Sequence, residues 1–188
     1  MAPAKHTLIA LVEDKPGVLN RMASLFRRRS FNIESIAVGR SEVPNISRTT
    51  IVVDGTTTSV EQVRKQLDKI IDVVRVVELS DEDTISRELA LVKVKANSAT
   101  RSEIMQIVDI FRANIVDVSP DSLTVEVTGD ENKIDSLLTL LQGFGIRELA
   151  RTGRIAMIRG LLSPLQSEKD SSNARAKKKK EQTSVDAY

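Results

Sequence analysis

Apolar positions along this chain change period repeatedly, from short continuous or alternating runs to stripes spaced three and four apart. Thr7-Leu-Ile-Ala-Leu-Val12 is apolar and partly β-branched, and predicts a buried strand. Glu13-Asp-Lys-Pro-Gly17 breaks it with loop residues. Val18, Leu19, Met22, Leu25 and Phe26 then recur at helical spacing, with Arg21 and Arg27 to Arg29 on the other side. Pro16 suits the first turn of that helix, because its missing N–H is not needed there. Asn32 to Gly39 and Arg48 to Asp54 predict two further strands, with Pro44 and Asn45 turning the chain between them. Val60, Val63, Leu67 and Ile70 share one face of a second helix, with Thr58 or Ser59 as its N-cap. Val73 to Leu79 predicts a fourth strand.

The order βαββαβ then recurs. Glu88 to Lys95 predicts a strand, and Ile104, Ile107, Val108 and Phe111 mark a helix opening near Thr100 or Ser102. Asn114 to Val118 and Ser122 to Thr128 form a hairpin around Pro120 and Asp121. Ile134, Leu137, Leu138 and Leu141 give the last helical stripe, capped by Asp130 and ended by Gly143. Ile146 to Ile158 supplies a final strand region, with Gly153 as a point of interruption. Right-handed βαβ crossovers fold each half into a four-stranded antiparallel sheet with both helices on one face. The fold class is therefore α+β: two tandem ferredoxin-like plaits, residues 1–79 and 87–160, joined by a linker at 80–86. Residues 161–188 are polar and aperiodic, and are expected to be a disordered tail.

Composition narrows the function. Aromatic residues make up only 3% of the chain, so Val, Ile and Leu must build the cores. With no cysteine, disulfides, thiolate metal sites and a cysteine nucleophile are excluded. His6 is the only histidine, which excludes a His-based metal cluster or relay and leaves it a surface or strand-edge role. The N-terminus lacks a signal-peptide core, and no apolar run is long enough to span a membrane, so a cytoplasmic protein is expected. Six of the 28 basic and four of the 26 acidic residues fall in 161–188, leaving 22 of each sign before it. The balanced body and the lack of strand aromatics argue against an RNA-binding plait. No nucleophile–base constellation, phosphate loop or metal cluster points to an enzyme. Asp81-Glu-Asp83 reads as a solvated linker. Arg27 to Arg29 reads as an exposed helix face or a docking surface, and Lys177 to Lys180 as a solubilising tail or a non-specific nucleic-acid contact.

One loop carries candidate chemistry. Asp14, Lys15, Pro16, Gly17 and Val18 join the first strand to the first helix. Gly17 permits close approach of a ligand to the backbone. The helix start offers unpaired N–H groups and a positive dipole end, which suit a carboxylate. Asp14 can accept from an ammonium group, so a free amino acid matches both ends. Asp-Lys-Pro-Gly is also an ordinary turn. The strand from Asn32 to Gly39 carries no Lys or Pro to blunt an edge, and is a template for pairing with a second chain unless its own chain covers it.

Val12-Glu-Asp-Lys-Pro-Gly-Val-Leu-Asn-Arg21, followed by Leu25 to Ser35 and Ser47-Arg-Thr-Thr-Ile51, resembles the ACT domain of acetohydroxyacid synthase (acetolactate synthase) small subunits. The resemblance continues in Gln66 to Ile70, Arg87 to Val94, Phe111 to Val118 and Thr152-Gly-Arg-Ile-Ala-Met-Ile-Arg-Gly160, and so covers about residues 5–160. It implies a non-catalytic regulatory subunit. Such a subunit activates a large catalytic subunit, which itself carries thiamine diphosphate, Mg and FAD, and confers feedback inhibition by valine, leucine or isoleucine. It further implies a homodimer through ACT domains. The effector would be held by Asp14 to Val18 of one copy and Asn32 and Ile33 of the other. Some members carry asparagine in place of Asp14; the aspartate favours the ammonium end of the effector. A stand-alone amino-acid-binding regulator of another partner is the alternative.

Overall fold

The computed structural model describes residues 5–55, 59–79 and 83–160. The first unit runs β1 (Lys5–Glu13), α1 (Val18–Arg29), β2 (Ile33–Arg40), β3 (Ile46–Asp54), α2 (Val60–Leu67) and β4 (Val73–Glu78). Its antiparallel sheet has the order β2-β3-β1-β4, which leaves β2 at an edge. Alternation along β1 decides the packing. Leu8, Ala10 and Val12 point toward the helices and pack with Val18, Met22, Leu25 and Phe26 of α1 and Val63 and Leu67 of α2. Ser30 ends α1 in the left-handed region at φ 54°, and the Phe31 N–H donates back to the Phe26 carbonyl at 3.0 Å. The same turn sets the Phe26 and Phe31 rings edge to face, 5.9 Å apart.

The second unit runs β5 (Thr84–Lys95), α3 (Arg101–Ile110), β6 (Asn114–Ser119), β7 (Ser122–Gly129), α4 (Glu131–Gln142), β8 (Ile146–Arg151) and β9 (Ile155–Ile158). Its main sheet has the order β6-β7-β5-β8. The predicted cap of α4 is made: the Asp130 side chain accepts from the Lys133 N–H at 2.8 Å. Ala90, Val92 and Val94 of β5 pack under Ile104, Val108, Ile134, Leu137 and Leu141.

Three expectations need correction. Gly153, at φ +80°, does interrupt the last strand region, but the chain beyond it leaves the main sheet. Ile155–Ile158 pairs with Thr84–Arg87, the leading part of β5. Thr84 to Ser86, read as linker, are therefore strand. The resulting ribbon lies on the face of the first sheet away from its helices, where Ile9, Leu11, Leu79 and Ala156 form a cluster with Ile46, Val77 and Ile158. The sheet of the first unit is thus covered on both faces, and Arg48 Nη2 fixes the ribbon by donating to the Ala156 carbonyl at 2.8 Å. Lastly, Pro16 is not in the first turn of α1; it lies in a turn before Gly17, the N-cap. Thr58, Ser80 to Glu82 and residues 161–188 lie outside the described residues.

Candidate effector site at the mouth of the first helix

Asp14 to Gly17 are exposed, and Val18 turns into the core to start α1. Gly17 is left-handed, at φ 89° and ψ −11°, and its carbonyl accepts the first helical bond, from the Arg21 N–H at 3.0 Å. No side chain caps α1. The first-turn N–H groups have no partner within a helix, and there is open space beside Gly17, where an added Cβ meets nothing within 4 Å. The loop is anchored from behind, because the Glu13 N–H donates to the Asp72 carbonyl at 2.9 Å and the Asp14 N–H to the Asn45 carbonyl at 2.8 Å.

The structure adds a residue that sequence reasoning missed. Asp72 has a fully buried side chain just before β4. Lys15 Nζ lies 2.7 Å from its Oδ1, and Arg21 Nη1 donates to its Oδ2. The Lys15 ammonium, aided by Arg21 and opposed by burial, holds the Asp72 carboxyl below the usual carboxylate range; the same pair raises Lys15. Lys15 also reaches the Glu13 carboxylate. Its ammonium is therefore committed to Asp72 and Glu13, and of the two acids at this loop Glu13 is taken up by Lys15 while Asp14 is not. Arg40 Nε is 3.9 Å from Asp14 Oδ2, an exposed pair that holds the Asp14 carboxylate only weakly.

The sign of the Asp72 shift fixes a pH dependence. A carboxylate with a depressed folded pKa contributes stability that is complete above its unfolded value, near 3.9, and is lost as the pH falls through the folded value. In Asp72→Asn that contribution is absent at every pH. The gap in Tm between wild type and Asp72→Asn, followed by circular dichroism, should be widest at neutral pH and narrow below about pH 4. A gap that stays constant to pH 2 would show that Asp72 acts by shape and not by charge.

The seven residues expected at the site fall into two groups. Strand register puts Glu13 opposite Ile46 and Arg40 opposite Ser47, so the Asp14–Val18 loop and the end of β2 share one end of the sheet. Ile33 is opposite Val53, at the other end, and Asn32 is exposed just ahead of it. The eight residues of β2 span roughly 25 Å. Within one chain Asn32 and Ile33 cannot meet the loop.

Other candidates do not build a site. Among the described residues, no group of three or more His, Asp or Glu side chains is placed to hold a metal ion. His6 sits on β1 with Nδ1 3.6 Å from Glu78 Oε1. No described helix is long and apolar enough to cross a membrane.

Two tandem plaits, the first with an open helix mouth beside a free sheet edge, define an ACT-type protein. Residues 8–75 match the family model of the acetohydroxyacid synthase small subunit-like ACT domain, and residues 87–160 match that of the small subunit of acetolactate synthase. The chain is 55% identical over 160 residues to the acetolactate synthase small subunit of Mycobacterium bovis, covering 85% of this chain and 95% of that one. It is 52% identical over 155 residues to that of Mycolicibacterium smegmatis, covering 82% and 91%. The crystal structure of the small subunit from Thermotoga maritima superposes with a TM-score of 0.77 at 42% identity, over 85% of this chain and 99% of that one. The chain belongs to the family of acetolactate synthase small subunits.

Proposed function

We propose that this chain is the regulatory subunit of acetolactate synthase. It activates a catalytic subunit and makes it sensitive to valine or to leucine or isoleucine, bound where two copies meet. The observation that carries the reading is the separation of the two residue groups along β2. If two β2 edges pair antiparallel about a two-fold axis, the start of one strand lies beside the end of the other. Asn32 and Ile33 of the second copy then arrive at the Asp14–Val18 loop of the first. The effector carboxylate is seated on the first-turn amides of α1, its ammonium on Asp14, and its aliphatic side chain against Ile33. A helix mouth stabilises a carboxylate by about 0.3–1 kcal/mol, and up to about 2 when partly buried.

Regulation requires that the effector bind the inhibited and active states of the synthase unequally. A coupling of about 1–3 kcal/mol corresponds to roughly 5- to 150-fold in affinity between states. The test is calorimetric titration of each of the three amino acids into the full chain, followed by reconstitution with the cognate catalytic subunit. The expected result is binding at one site per chain, a rise in synthase activity on reconstitution, and inhibition by the amino acid that bound. No heat with any of the three, together with synthase activity indifferent to the chain, would overturn the reading.

A further inference from the structure

A second feature of α1 lies along its flank, from its first turns to its last. A groove of about 740 Å³ runs between α1 and α2, lined by Arg27, Arg28, Arg29 and Lys69, with Ile70 and Ile71 on its α2 side. No acidic residue lines it. Arg29 Nη2 leans on Gln66 Oε1 at 3.4 Å, while among the described residues Arg27, Arg28 and Lys69 have no carboxylate within ion-pairing distance. Ile71 is 87% exposed at the end of the groove, the largest such fraction among the described large apolar side chains. Cations in the last turn of α1 complement the helix dipole, which accounts for the three arginines alone. It does not account for Lys69 across the groove or for an isoleucine held in water. One-sign charge around an exposed aliphatic residue, on a body balanced in charge, is the signature of a surface that meets an oppositely charged partner.

We propose that this groove is a docking surface for an acidic segment of the catalytic subunit, one that places an aliphatic side chain against Ile70 and Ile71. The proposal rests on the reading of the chain as a subunit of acetolactate synthase. A protein segment suits the groove better than a nucleic acid, since no aromatic ring lines it for base stacking and its α2 side is aliphatic. The location also offers a route for regulation. Arg21 lines the same groove and holds Asp72, which holds Lys15 of the effector loop. The 12 residues of α1 carry the arginine end of the groove to about 18 Å from the helix mouth, on one rigid element.

The experiment measures the affinity of the full chain for the purified cognate catalytic subunit by biolayer interferometry across a sodium chloride series. A parallel arm uses poly(U) RNA. The variants are Arg27→Glu with Arg28→Glu, Ile71→Ser, and a control with the same charge change on the second plait, Lys95→Glu with Arg112→Glu. The groove double variant should weaken binding by about tenfold or more and flatten its salt dependence. Ile71→Ser should weaken it at every salt concentration, and the control should bind as wild type. Unchanged binding in both groove variants, or an equal loss in the control, would overturn the proposal. So would RNA binding that only the groove variants lose while the catalytic subunit stays bound. Failure of the wild-type chain to bind the catalytic subunit at all would instead sink the subunit reading, and the groove's occupant with it.

Discussion

Gly17→Asp is expected to weaken effector binding by roughly thirtyfold and so remove feedback, while the chain still folds and still activates its partner. The left-handed backbone at φ 89° costs a side-chain-bearing residue about 1–2 kcal/mol, but the added Cβ enters open space, with nothing within 4 Å. The added charge is what matters. Two like charges 4 Å apart repel by about 4 kcal/mol near a protein surface, and half of that after solvent screening still lowers affinity roughly thirtyfold. Gly17→Ala separates the two effects, since it keeps the strain and lacks the charge; it should lose stability and retain binding. Asn32→Ala should also abolish feedback, yet from the far end of β2. Mixing the two defective variants therefore has a distinctive outcome. In a dimer of one Gly17→Asp chain and one Asn32→Ala chain, one site carries both defects and the other carries none. Titration should recover one functional site per mixed dimer. No recovery on mixing would mean that Gly17 and Asn32 serve the same chain's site, and the shared-interface account would fall.

The order of elements and the helix-facing cores were legible because they are local. Val18, Met22, Leu25 and Phe26 announce a buried helical stripe, and Asp130 announces a cap, within a single turn of chain. What the sequence concealed depends on residues far apart along it. Thr84 to Ser86 come after an acidic stretch and look like linker; they become strand because Ile155 to Ile158 return, some seventy positions later, to pair with them. Asp72 looks like one more loop acid until the fold closes Lys15 and Arg21 over it. The candidate site itself was half legible. The loop from Asp14 to Val18 declares itself through Gly17 and the helix start. The contribution of Asn32 and Ile33 rested on family resemblance, and only the register of β2 against β3 shows why one chain cannot supply both groups.

The two faces of β1 give the second large effect. Leu8 and Ile9 are neighbours, each fully buried, in different cores: Leu8 under α1 and α2, Ile9 under the β5–β9 ribbon. In a plait with a solvated open face, truncating Ile9 would cost little. Here Ile9→Ala should destabilise the protein by about 2–5 kcal/mol, as much as Leu8→Ala, because each leaves a cavity in a closed core. Urea unfolding gives the magnitudes, and native-state hydrogen exchange separates the locations. Leu8→Ala should speed exchange in α1 and α2. Ile9→Ala should speed it at Thr84–Arg87 and Ile155–Ile158, with α3 and α4 unaffected. The ribbon belongs in sequence to the second plait and in packing to the first, so loosening it frees one unit from the other without unfolding either. A chain carrying Ile9→Ala should then bind effector with unchanged affinity yet transmit it less to any partner that contacts the second plait. An Ile9→Ala chain as stable as wild type would mean that the ribbon does not seal this face in solution, and the coupling of the two plaits through β1 would be lost with it.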